Sequence, residues 1–298
     1  TGDVEAAILE NSGLVTTGAG TTSGYPSLHI GHLVEDRREG ISQYGKSAEI
    51  RFQSIDNMFG NGFESWLWDG SAGVGGWTAK GVIVQVRPRY MHTPLRLAEL
   101  REDSAERRDL LAKQSAKAAE DLARLKTRPV ATLDGLSDRL QLQVVDRIDA
   151  LARTQAKDEA SIRRAFLAEV VRANFDQSIY VHEGRHAIDE ALGLTGKVEQ
   201  PVLEYQAKLS ELALADYPRM ALRNMNRALE GNGPHDKAGA RVFDDFRKWM
   251  EAHISEIMGY DPALPALAQF DKLTDFQIRE IARSLDPLPN GKPSPTKL

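Results

Sequence analysis

Two histidines and a glutamate stand together in the middle of the chain, as His182-Glu183-Gly184-Arg185-His186. His182 and His186 are four residues apart. On a helix that spacing puts both imidazoles on one face, one turn apart, able to share a metal ion. Neutral imidazole is a good zinc ligand. Glu183 follows the first histidine directly, so its carboxylate lies beside a bound ion rather than on it. There it can take a proton from metal-bound water, whose pKa zinc lowers toward about 7. It can later hand that proton to a leaving amine. These residue types at this spacing point to metal-assisted hydrolysis of an amide.

A third ligand is needed. The chain contains no cysteine, and His235 is distant in sequence, so a carboxylate is expected. Glu204 and Glu211 lie on the next helical stretch, seven residues apart and therefore on one face. On these residues the sequence resembles the gluzincin group of zinc metallopeptidases. That group pairs H-E-x-x-H with a glutamate on a downstream helix, often as E-x-x-A or E-x-x-S. His182, Glu183 and His186 match the first part, and Glu204-Tyr205-Gln206-Ala207 matches the second. The resemblance implies one zinc ion held by His182, His186 and Glu204, with Glu183 as general base. Glu211 stays open as an alternative ligand, or as the acceptor that orients a ligand imidazole, a role open to Asp189 as well. Arg185 and Lys208 depart from the residues usual at their places in the family. The metzincin pattern does not fit, because Asp189 and Leu192 stand where it needs Gly and His.

Amide hydrolysis passes through a tetrahedral intermediate, which calls for an oxyanion stabiliser. His235 is the first candidate. It sits in Gly231-Asn232-Gly233-Pro234-His235-Asp236, read as a loop, with Asp236 placed to hold its tautomer. Tyr205 and Tyr260 are alternatives. His29 and His32 read as loop or strand residues, since Pro26, Ser27 and Gly31 disfavour helix. His92 and His253 read as structural.

The elements that must position these groups follow from periodicity. The fold class expected is α+β, predominantly α: a zincin-like helical catalytic region with a smaller N-terminal β-rich, Gly/Trp-rich region. Residues 1–100 hold most of the glycines and three of the four tryptophans (Trp66, Trp68 and Trp77). Ala48–Phe52 and Val82–Val86 alternate as strands. Phe59 to Gly81 reads as a mobile loop. This N-terminal region is expected to line or flank the cleft, with Val82–Val86 as the strand bordering substrate. Residues 101–286 form the helical zinc-binding region. Asp103 to Lys126 reads as a charged, solvated helical arm stopped by Pro129. Ser137–Ala152 and Asp158–Arg172 read as amphipathic helices. Asp176 is expected to cap the motif helix and Gly193 to close it. Pro201 fits the first turn of the next helix, and Thr274 opens a final short one. Residues 287–298, with four prolines, read as a disordered tail.

Composition narrows the function classes. Apolar residues make up 41% of 298 and the net charge is -5, which suits a globular chain and argues against nucleic acid as partner. Without cysteine, thiol nucleophiles and Cys-ligated zinc are excluded. No run approaches the ~18 apolar residues of a membrane span. The chain starts at Thr1 rather than Met, so a soluble protein is expected and export stays open. The leading reading is a zinc-dependent peptide hydrolase in which Glu183 activates a zinc-bound water to attack a peptide carbonyl. Its partner is a peptide or protein substrate. The alternatives are a non-catalytic helical metal-binding or interaction protein and, behind it, a di-metal carboxylate helix bundle, for which Glu183-x-x-His186 supplies half a motif.

Overall fold

A computed structural model describes residues 6–8, 10–11, 15–22, 25–60, 75–102, 104–226 and 229–298. Trp66, Trp68, Asp103 and most of the expected mobile loop lie outside the described residues. The chain forms two units, one of Thr1–Leu95 with Asn174–Leu194, the other of Arg96–Ala173 with Thr195–Leu298. The first unit is thus discontinuous. The motif segment belongs with the sheet, because it buries an apolar side against that sheet.

Among its described residues the first unit holds five strands: β1 (Val15–Thr22), β2 (Tyr25–Gln43), β3 (Lys46–Gly60), β4 (Gly76–Ala79) and β5 (Val82–Val86). Their order is β1-β2-β3-β5-β4. Only β3 and β5 run parallel; the other neighbours are antiparallel. Two tight turns set the register. Tyr44 and Gly45 (φ 51° and 72°) join β2 to β3, and Lys80 and Gly81 (φ 52° and 71°) join β4 to β5. Two successive left-handed residues twist the chain as paired antiparallel strands require, and glycine takes the second place without strain. Ile50, Phe52, Ile55, Ile83, Val84 and Val86 are buried.

This arrangement corrects one expectation. β5 is paired on both sides, by β3 and by β4. Its backbone groups are therefore committed to the sheet, and it cannot also border an extended substrate. The outer strand on that side is β4.

The second unit is helical. The helices are α1 (Pro88–Ala98, which begins in the first unit), α2 (Ala105–Thr127), α3 (Asp134–Gln155) and α4 (Glu159–Phe175, whose last residues belong to the first). After the motif come α6 (Gln200–Leu214), α7 (Pro218–Asn226), α8 (Pro234–Ala252) and α9 (Asp275–Leu285). The charged arm is α2, capped by the Ser104 side chain. Its one buried residue, Asp121, accepts the Leu136 N–H at 3.0 Å and so ties the arm to the start of α3. Val144, Val145, Ile148, Ile162, Phe166, Val170, Tyr217 and Met220 form one core. Phe270 packs on Phe243 and Phe246 in α8. Every residue of α6 from Val202 to Ala213 is buried. Thr274 caps α9 as expected, and its hydroxyl accepts the Gln277 N–H. Residues 287–298, expected to lack order, follow α9 in turns, and the Glu199 N–H donates to the Thr296 carbonyl at 3.1 Å. Among the described residues no helix is long and apolar enough to cross a membrane.

Candidate metal centre

The motif does not sit on a separately capped α-helix. The chain passes from α4 at Phe175 directly into a π-helix, Asp176–Glu183, and then into α5, Gly184–Ala191. Asp176 therefore lies inside a continuous helix and is no N-cap. In the π segment the hydrogen bond reaches one residue further, so the Gly184 N–H donates to the Ile179 carbonyl. Such turns are costly and concentrate at functional sites. The sheet supports this one: Gln43 Nε2 donates to the Val181 carbonyl at 2.8 Å. Phe175 packs edge-on against Phe52 and Tyr180, with ring centroids 5.5 and 4.7 Å apart. The far end closes as expected, with Gly193 at φ 69° and the Leu194 N–H donating to the Asp189 carbonyl.

The short residue in the motif has a packing reason. A Cβ built on Gly184 would lie 2.9 Å from Ile41 Cγ2, so α5 meets β2 too closely for a side chain. Arg185, foreign to the family pattern, is wholly buried. Its Nε donates to Asp189 Oδ1 at 2.9 Å, and Asp189 is buried too. Asp189 thus serves as a counterion of Arg185.

His182 is buried and His186 half-buried, their ring centroids 4.9 Å apart. The expected neighbourhood of the two imidazoles is thus present although His182 lies in the π turn. Glu183, between them, is half-buried. Its Oε2 accepts the Thr78 hydroxyl at 2.7 Å, and the same hydroxyl lies 3.1 Å from the Glu183 carbonyl. Seven residues on, Glu190 Oε2 accepts the Gly81 N–H at 3.2 Å. Thr78 and Gln43 were not legible as site residues. They stand over a hundred positions from the motif, and only the turn signals at Lys80-Gly81 and Tyr44-Gly45 mark their two hairpins.

The glutamate expected as third ligand, Glu204, lies on α6 in the second unit. Glu204 is buried, and Gln200 Nε2 donates to its Oε1 at 2.9 Å. His235 Nδ1 stands 2.8 Å from Glu204 Oε2. The segment carrying His235 is not a loop: it is the first turn of α8, with Pro234 inside its start. Asp236 caps that helix by accepting the Gly233 N–H at 2.9 Å, so the group at His235 Nδ1 is Glu204, not Asp236. Glu211 is buried on the same helix. Tyr205 is buried and donates its hydroxyl to Asp245 Oδ2 at 2.9 Å. Burial first, then the Asp245 carboxylate, holds its phenol well above the ordinary range, so it stays a neutral donor committed to Asp245. Burial also pushes the Tyr260 phenol up. His29 and His32 fall in β2. His253 ends α8, with Nδ1 2.8 Å from the Trp249 carbonyl and its ring stacked on Trp249.

In the second unit Glu204 and His235 set a carboxylate and an imidazole side by side, donor types that suit a borderline-soft divalent ion such as zinc. No family model, curated protein or solved structure matches this chain.

Proposed function

We infer that the chain is a zinc-dependent peptide hydrolase of the gluzincin kind. The observation that carries the reading is the pairing of His182 and His186 around Glu183 on one continuous helix, with ring centroids 4.9 Å apart. His182, His186 and Glu204 are the proposed ligands. The donor chemistry fits, since two imidazole nitrogens and a carboxylate oxygen form a known catalytic zinc set. His235, beside Glu204 Oε2, steadies that carboxylate, as outer partners of ligands do. The closeness of His235 to Glu204 favours a second ligand set in which His235 replaces His186.

Zinc, when bound, would acidify a water and polarise a carbonyl. Glu183 takes a proton from the attacking water and returns it to the departing amine nitrogen. Gln200 orients Glu204 through the 2.9 Å bond to its Oε1. The Asp245 carboxylate leaves Tyr205 no role beyond packing in this scheme.

The test is metal content with hydrolysis of a peptide library. The expected result is about one zinc per chain, kept in Glu183→Gln while hydrolysis is lost. His186→Ala separates the ligand sets: loss of zinc supports His186 as ligand, and retention with loss in His235→Ala supports His235. A protein that binds no metal, binds two irons, or hydrolyses peptides equally well as Glu183→Gln would sink the reading.

A further inference from the structure

The β4–β5 hairpin grips the motif helix at two points, two turns apart. Thr78 Oγ1 donates to Glu183 Oε2 at 2.7 Å, and the Gly81 N–H donates to Glu190 Oε2 at 3.2 Å. The hairpin is held close. A Cβ on Gly76 would meet the Val84 carbonyl at 2.3 Å and Ile179 Cδ1 at 3.0 Å, so β4 lies tight against the π segment. Thr78 pairs with Ile83 in the ladder, and its backbone is fixed by the Lys80-Gly81 turn that follows. A β-branched side chain on a paired strand has little χ1 freedom. The hydroxyl is therefore delivered to one place by the sheet.

A glutamate has three side-chain torsions, and holding it in one rotamer has an entropic cost. A general base is effective only when its oxygen points at the proton it takes. We propose that Thr78 is a positioning residue for Glu183: its hydroxyl holds Oε2 and thereby aims Oε1 at the proton to be moved. The proposal rests on Glu183 being the base. It adds a strand residue, 105 positions away, to the machinery of the motif.

Three variants test it: Thr78→Val, isosteric without the hydroxyl; Thr78→Ser, which keeps it; and Glu183→Gln as reference. The measurements are kcat and KM on a cleaved peptide, zinc content, and the ¹³C carboxyl resonance of Glu183 in the zinc-free protein, assigned by its disappearance in Glu183→Gln. Thr78→Val is expected to lower kcat about 10–100-fold, the usual effect of losing a group that orients catalytic machinery, with KM and zinc content unchanged. The carboxyl resonance moves in Thr78→Val and returns in Thr78→Ser, which also restores kcat to within a few-fold. A wild-type kcat in Thr78→Val, with the resonance moved or not, overturns the proposal while Glu183→Gln remains inactive. If Glu183→Gln hydrolyses peptides normally, the base reading itself fails and the positioning role falls with it.

Discussion

Gly184→Ala would place one methyl group where α5 crosses β2. The new Cβ would stand 2.9 Å from Ile41 Cγ2, 3.4 Å from Ile41 Cδ1 and 3.5 Å from Gln43 Nε2. Ile41 is 5% exposed, and its Cγ2 is bonded to Cβ, so the methyl cannot swing into solvent. Overpacking of this kind costs roughly 1–3 kcal/mol. Against it stands the intrinsic gain of alanine over glycine inside a helix, about 1 kcal/mol. The net expectation is a loss of ~0–2 kcal/mol in the wild-type background. In an Ile41→Ala background the clashing atoms are gone, the methyl partly refills the space, and Gly184→Ala should stabilise by up to about 1 kcal/mol. The assay is a double-mutant cycle by urea denaturation, with the m-value checked for constancy. A Gly184→Ala effect of the same sign and size in both backgrounds would refute the claim that Ile41 enforces the glycine.

Asn226 is wholly buried: its Nδ2 donates to the Leu133 carbonyl and the Ser137 hydroxyl at 2.7 Å each, and its Oδ1 accepts the Leu133 N–H at 3.2 Å. Asn226→Ala strands both backbone groups of Leu133 at the start of α3 and should cost roughly 2–5 kcal/mol in chemical denaturation; a loss under about 0.5 kcal/mol would contradict this accounting. Glu169 accepts from Arg172, at 2.6 Å on Oε1 and 2.9 Å on Oε2, and from the Tyr217 hydroxyl at 2.7 Å. The Arg172 hydrogen bonds, partly opposed by burial, hold its carboxyl below the ordinary 4.5. A folded pKa below the unfolded one adds stability that is full above the unfolded value and is lost as pH falls through the folded one. The melting temperatures of wild type and Glu169→Gln should therefore differ near neutrality and converge as pH falls below the ordinary 4.5; a gap that stays constant with pH would count against the reasoning.

Much of the scaffold was legible because local rules agreed. Val82–Val86, the helix after Pro201, the Thr274 cap and the Gly193 closure each rest on contacts within a few residues of chain. Two local readings failed, one where neighbours distant in sequence decide and one where two local helix-start signals outweigh a loop-like composition. Asp176 has the chemistry of an N-cap, but α4 continues through it, because Gln43 and the Phe52–Phe175 contact stabilise a π turn there. Gly231–Asp236 has the composition of a loop. Yet Pro234 fits a first helical turn, and Asp236 caps Gly233, so His235 is helical. The Val82–Val86 strand was found correctly but given the wrong neighbour space, since nothing in a five-residue pattern reveals that both its edges are paired.

The sequence by itself determined the chemistry on offer: two imidazoles around a carboxylate at helical spacing, a downstream glutamate helix, no thiol, and a helical majority over a small sheet. Side-chain type and short-range periodicity carry that information directly. Only the tertiary structure decided which polar groups serve one another. Thr78 on Glu183, Gln43 on the Val181 carbonyl, Arg185 on Asp189 and Glu204 on His235 each involve at least one group that is buried or half-buried. A polar group removed from water must take its partner from whatever the folded chain brings within hydrogen-bond reach, and for three of these four pairs that partner lies more than thirty residues away.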